Sequence, residues 1–137
     1  MSLVLDSSVT LAWLLPDEAT PAVLAVFDRV IQEGAFVPSL WVLEVANSLT
    51  MAVRRKRITT SDRNDSLTDL ASLPIETDRG SEAHAWAEMT QFADRHELSI
   101  YDAAYLELAL RRNLPLATLD ADLRRAAAAE GVQLLGA

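Results

Sequence analysis

Apolar positions along this chain follow two patterns in turn. Short continuous runs occur at Leu3-Val4-Leu5, Ala35-Phe36-Val37-Pro38, Leu114-Pro115-Leu116-Ala117-Thr118-Leu119 and Val132-Gln133-Leu134-Leu135. Runs apolar on both faces are strands buried on both sides, the usual case in a parallel sheet. Between them, apolar residues recur every three or four positions, the spacing of a helix with one buried face. Ser7 or Ser8 caps a helix to about Leu15, stopped by Pro16. Thr20-Pro21 opens a second, carrying Val23, Leu24, Phe27, Val30 and Ile31 until Gly34. Ser39 opens a third to about Arg57, with Val42, Leu43, Ala46, Leu49 and Val53 on its apolar face. Thr59 to Ser61 caps a fourth, to about Leu73, and Pro74-Ile75-Glu76-Thr77 is a weak strand. Ser81 starts a fifth helix, through Trp86, Met89 and Phe92 to about His96. After the connector Leu98–Tyr101, Asp102 stands in the first turn of a helix to Arg112 and Asn113. Asp122 begins the last helix, through Ala129, closed by Gly131. Strands and helices alternate throughout, which predicts an α/β fold: a central parallel sheet with helices on both faces.

The 137 residues form one domain, 1–137, long enough for a substantial core and without linker, repeat or low-complexity segment. Half the residues are hydrophobic, which excludes disorder. No apolar run approaches the roughly 18 residues of a membrane span, so no membrane association is expected. The N-terminus lacks a basic region and cleavage site, so no signal peptide is expected. The absence of cysteine excludes disulfides and thiolate metal sites and fits a cytoplasmic protein. A net charge of −8 is the wrong sign for a nucleic-acid binder. Carboxylates gathered around bound cations would offset part of it. The basic residues are also uneven: Arg54, Arg55, Lys56 and Arg57 form a block that serves either phosphate contacts or a helix C-terminus.

Several acids stand where packing alone does not call for them. Asp6 and Asp120 close two apolar strands, and the carboxyl edge of an open α/β sheet is where ligands bind. Glu44 lies between Leu43 and Val45, and Asp102 follows Ile100-Tyr101 at a helix start. Taken singly, each has a structural reading. Asp102 and Asp122 could be first-turn acids, Asp120 an N-cap, Asp6 an Asx-turn and Glu44 a solvated residue. Taken together, they form a cluster of like charges that needs a cation. All-oxygen donors suit Mg²⁺ or Mn²⁺ rather than zinc. His84 and His96 lie outside any metal-ligand spacing and read as ordinary helix residues. Phosphodiester hydrolysis is the chemistry such a site performs.

Four stretches carry a family resemblance: Leu3-Val4-Leu5-Asp6-Ser7-Ser8; Val37-Pro38-Ser39-Leu40-Trp41 leading to Glu44-Val45-Ala46-Asn47; Ser99 to Ala109; and Ala117 to Leu123. Over essentially the whole chain the sequence resembles the PIN-domain ribonucleases, and within them the VapC toxins of VapBC toxin–antitoxin pairs. The resemblance implies a parallel sheet in strand order 3-2-1-4-5, with strands one and four adjacent. It implies a metal-dependent endoribonuclease in which Asp6, Glu44, Asp102 and Asp120 are catalytic, Mg²⁺- or Mn²⁺-binding acids. Asp122 matches a position acidic in only part of the family, and Thr118 or Ser7 would support the acids by hydrogen bonds. It further implies an RNA substrate, a VapB-like antitoxin and a homodimer. Trp13, Leu14, Leu15, Leu40 and Trp41 either belong to the core or, where exposed, form an apolar groove near the acids that the antitoxin's C-terminal segment would fill.

Other readings are weaker. A haloacid-dehalogenase-like site wants a second Asp at position 8, which is Ser8. A receiver domain wants a late lysine, and the only lysine is Lys56. A P-loop is excluded because no Gly-Lys pair occurs. A catalytically silent PIN-like module binding RNA or protein remains the alternative from another class.

Overall fold

The first strand, β1 (Val4–Leu5), sits in the middle of a five-stranded parallel sheet of order β3-β2-β1-β4-β5 in a computed structural model that describes all residues, Met1–Ala137. Its neighbours are β2 (Ala35–Pro38), with Val4 opposite Phe36, and β4 (Leu116–Ala117), with Val4 opposite Leu116 and Leu5 opposite Ala117. Strand β3 (Ile75–Asp78) pairs with β2 over four positions, and β5 (Leu134–Leu135) pairs with β4. The expected order is thus observed. The third strand is better formed than Ile75-Glu76-Thr77 promised. An edge strand needs a buried partner on one side only, so alternating polar residues are tolerated there.

The chain passes from β1 through α1 (Ser7–Leu14) and α2 (Pro21–Glu33) to β2, and through α3 (Leu40–Arg54) and α4 (Thr60–Ala71) to β3. It then crosses back through α5 (Thr90–His96) and α6 (Ile100–Arg112) to β4, and through α7 (Ala121–Ala129) to β5. Strand order reverses between β1 and β4, so right-handed crossovers put α1–α4 on one face and α5–α7 on the other. The helix contacts divide the same way: α1 with α2 and α3, α3 with α4, α6 with α5 and α7. One apolar core of 24 buried residues joins the two faces through the sheet.

Helix limits follow their caps. Thr20 accepts the Val23 N–H ahead of Pro21, and Gly34, at φ 78°, closes α2. A Cβ at Gly34 would stand 3.1 Å from the Pro74 carbonyl oxygen. Thr59 and Asp62 form a reciprocal capping box on α4. Helix α3 ends at Arg54, three residues before the expected Arg57, because Lys56 turns left-handed at φ 60°. Arg57 N–H then bonds the Ala52 carbonyl and Lys56 N–H the Val53 carbonyl, a Schellman closure. Asn113 and Gly131 close α6 and α7 likewise.

The expected fifth helix from Ser81 to His96 is not uniform. It comprises a 3₁₀ turn at Ser81–His84, a π turn at Ala85–Met89 and then α5. In an uninterrupted α-helix Trp86 and Met89 would share a face. The wider π turn separates them, leaving Met89 buried and Trp86 95 % exposed. Helix α6 is buried continuously from Ala103 to Ala109, between the sheet and the segments that cover it. Its one buried charge, Glu107, is held by Arg111 at 2.8 Å.

Candidate functional site

The switch point puts the carboxyl ends of β1 and β4 side by side, and Asp6 N–H donates to the Ala117 carbonyl at 3.0 Å. Asp6 is 4 % exposed. Its Oδ2 accepts the Ser8 hydroxyl at 2.6 Å and the Thr118 hydroxyl at 2.7 Å. Each hydroxyl in turn accepts a backbone N–H from the turn after β4: Leu119 N–H on Ser8, at 3.0 Å, and Asp120 N–H on Thr118, at 3.1 Å. The hydroxyl pair therefore ties Asp6 to the turn that carries Asp120. Thr118 has the expected supporting place. Ser8 supplies the second hydroxyl on Asp6, while the Ser7 side chain supports Glu44 instead.

Glu44 reaches the same region from α3 and is half-buried. Its Oε1 accepts the Tyr105 hydroxyl at 2.6 Å, and the Ser7 side chain lies beside both groups. One turn before Glu44, Trp41 is buried and its indole N–H donates to Thr10 on α1, so this face of α3 is keyed to both α1 and α6. Asp102 is half-buried in the first turn of α6, where Ser99 caps the helix by accepting the Asp102 N–H. Asp120 is exposed and is itself the N-cap of α7, accepting the Leu123 N–H at 2.8 Å. Asp122 is exposed and ion-paired to Arg125 at 2.7 Å.

Four of the five acids, Asp6, Glu44, Asp102 and Asp120, make no ion pair. They sense one another nevertheless. Burial pushes the Asp102 carboxyl up to about 6, with added repulsion from Asp120, Asp6, Glu44 and Asp122. Burial also raises Asp6, against the hydrogen bonds of Ser8 and Thr118, and Asp120 adds repulsion. Glu44 is raised by burial, against the Tyr105 bond, with Asp6 contributing. The acids are thus coupled by charge, without the close convergence on one ion that was expected. As the side chains stand, no three His, Asp or Glu groups are close enough together to enclose one metal ion. Repulsion acts over a longer range than coordination, so both observations describe one loose cluster. The donor chemistry fits a hard divalent cation: carboxylate oxygens, no competing imidazole and no arginine on the four unpaired acids.

Asp78 shows the contrast. It too closes a strand and is 3 % exposed, yet Arg111 and Arg112 grip it at 2.7 and 2.8 Å, and Ser81 and the Gly80 N–H complete its shell. The guanidiniums hold its carboxyl well below the usual carboxylate range. Arg112 also lies over the Phe36 ring at 3.9 Å.

A groove of about 680 Å³ opens beside the acids, lined by Ser8, Leu11 and Leu15 of the α1 segment, by Asn47, Ser48 and Met51 of α3, and by Arg55, Arg57 and Leu119. The groove expected from Trp13, Leu14, Leu15, Leu40 and Trp41 is not the one observed, since only Leu15 lines it. Trp41 is in the core, and Trp13 packs edge-on to Phe27 at 5.2 Å while donating to the Val23 carbonyl. His84 pairs with Glu88 and His96 with Glu130.

The model of the PIN domain family matches residues 3–129. The chain belongs to that family. No curated protein sequence matches this PIN domain. Its fold is similar to that of PAE2754 from Pyrobaculum aerophilum, at a TM-score of 0.71 and 22 % identity over 98 % of this chain and 89 % of that one. It is similar to FitAcB from Neisseria gonorrhoeae at 0.66 and 22 %, over 98 % and 96 %. It is similar also to VapBC2 from Rickettsia felis, solved bound to a DNA fragment from their promoter, at 0.66 and 13 %, over 98 % and 97 %. At these identities the likeness is one of fold. No helix of this PIN domain is long and apolar enough to cross a membrane.

Sequence reasoning missed two neighbours of the candidate site, Ser8 and Tyr105, and the contrasting use of a third residue, Asp78. Ser8 was overshadowed by the equivalent Ser7 beside it. Tyr105 lies 61 residues from Glu44, with no local signal linking them. Asp78 has the strand-end position of Asp6, and only the arginines show its different use.

Proposed function

We propose that this PIN domain is a Mg²⁺- or Mn²⁺-dependent endoribonuclease and the toxin component of a VapBC-type toxin–antitoxin pair. The contrast between two buried strand-end aspartates carries the reading. Asp78 is neutralised by two guanidiniums, whereas Asp6 meets two hydroxyls and the Ser7 backbone but no cation, and the acids nearest it are unpaired as well. A buried carboxylate is costly without a positive partner, and a cation fills that need. Membership in the PIN family supports a nuclease activity.

In this reading Asp6, Glu44, Asp102 and Asp120 hold the ion, and Asp122 adds a fifth carboxylate when released from Arg125. A bound divalent cation supplies an activated water and offsets charge on the phosphate. The chain's own residues do the rest. Ser8 and Thr118 fix the Asp6 carboxylate, and the α7 N-terminus fixes Asp120. The groove along α1 and α3 offers a path for a single strand. Arg55 and Arg57 line it, and with Arg54 and Lys56 they form a basic block that offers phosphate contacts, a local exception to the overall negative charge.

The fold it shares with VapBC2, solved on promoter DNA, supports a VapB-like antitoxin as partner. Leu43, Trp86 and Tyr101, large apolar side chains left exposed, support pairing with a second copy. Purified protein with labelled single-stranded RNA in Mg²⁺ or Mn²⁺ tests the activity. Cleavage that EDTA and Asp6→Asn both abolish is the expected result. RNA bound but uncut under every metal condition would instead make the chain a silent binding module.

A further inference from the structure

Tyr105 is the largest fully buried side chain of the molecule, at 0 % exposure, and a phenol in the core needs an acceptor for its hydroxyl. That acceptor is Glu44 Oε1, at 2.6 Å. Tyr105 follows Asp102 by three residues on α6, so acid and phenol share one face of the same helix. That helix is packed on all sides from Ala103 to Ala109 and cannot shift without disturbing the core. Glu44 has three side-chain torsions, is half-buried and has no ion pair, so the phenol is the strongest restraint on its carboxylate.

We infer that Tyr105 is a positioning residue: its hydroxyl holds the Glu44 carboxylate at a set place relative to Asp102, so that α6 fixes the spacing of two acids contributed by different helices. The inference rests on the cation-binding reading above and assigns part of the site's metal affinity to a residue that does not touch the ion. Groups standing behind metal ligands change affinity by roughly 10–100-fold when removed.

Calorimetric titration of the full chain with MnCl₂ tests this. Tyr105→Phe keeps the ring and deletes only the hydroxyl. It should weaken Mn²⁺ binding at least about tenfold, while circular dichroism and metal-free melting stay near wild type. Glu44→Asp draws the carboxylate away from the phenol at a half-exposed position and should weaken binding in the same direction. In a Glu44→Ala background, deleting the hydroxyl should change Mn²⁺ affinity less than about twofold, because Tyr105 then has no ligand to position. Wild-type affinity in Tyr105→Phe would overturn the inference alone, as would a full loss that persists in the Glu44→Ala background. Absence of Mn²⁺ binding by the wild type would overturn both the inference and the function on which it rests.

Discussion

Replacing Asp102 by Asn should stabilise the metal-free protein. The Asp102 carboxyl is raised from 3.8 to about 6, first by burial and then by the charges of Asp120, Asp6, Glu44 and Asp122. A rise of that size corresponds to about 3 kcal/mol against the ionised form. Asp102 is only half-buried and water screens part of the repulsion, so about 1–2 kcal/mol is the reasonable expectation. Loss of a favourable first-turn charge on α6 offsets a few tenths of that. The folded-state value lies above the unfolded one. Stability is therefore full below about pH 4, falls as pH rises through about 6, and is lowest above it. Urea denaturation in EDTA at pH 4.5 and 7.5 reads both effects. Wild type should lose stability between the two values relative to Asp102→Asn, and the variant should be the more stable at pH 7.5. A variant less stable than wild type at pH 7.5, with the same pH dependence, would show Asp102 to be an ordinary helix-start acid and refute the reasoning.

Three further outcomes follow from other parts of the molecule. Asp78→Ala strands two guanidiniums over the end of β3 and should destabilise by about 3 kcal/mol in urea titrations; because Arg111 holds the Asp78 carboxyl below its usual range, the wild-type contribution is present at neutral pH and lost as pH falls into the acid range. Glu97 ends α5 in a left-handed conformation at φ 56°, so Glu97→Gly should raise stability by up to about 1 kcal/mol by thermal melting. Neutralising Arg54 and Arg55 together should flatten the logarithmic salt dependence of single-stranded RNA binding by about 1.4, and an unchanged slope would return these residues to a helix-terminus role.

The parallel sheet and most helix limits were legible because each rests on local chemistry, whereas the strand order came from the family resemblance. A run apolar on both faces suits a strand of a sheet covered on both sides, and Thr20, Thr59 and Ser99 are caps that act within three residues. The four unpaired acids were legible for a related reason: carboxylates at strand ends and helix starts stand out against apolar neighbours. What that pattern could not supply was the counter-charge. Asp6 and Asp78 end their strands in the same way, and their opposite fates depend on Arg111 and Arg112, more than thirty residues further along the chain. The π turn was illegible because Trp86 and Met89 keep α-helical spacing, and only packing shows that Met89 alone is buried. Trp41 suited either groove or core, and Thr10 supplies its acceptor inside the core.

On the proposed reading, the unpaired acids around Asp6 form a cation site in the folded chain. Thermal melting of wild type, Asp6→Asn and Asp102→Asn, each in EDTA and in Mn²⁺, tests it most directly. An ion present at a hundredfold excess over its dissociation constant adds about 2.7 kcal/mol to the folded state. For a chain of this length that is a rise of about 10 °C. Wild type should show that rise, and both variants should lose most of it while melting no lower than wild type in EDTA. A wild type indifferent to Mn²⁺, with both variants melting well below it in EDTA, would make these acids structural caps and contradict the account.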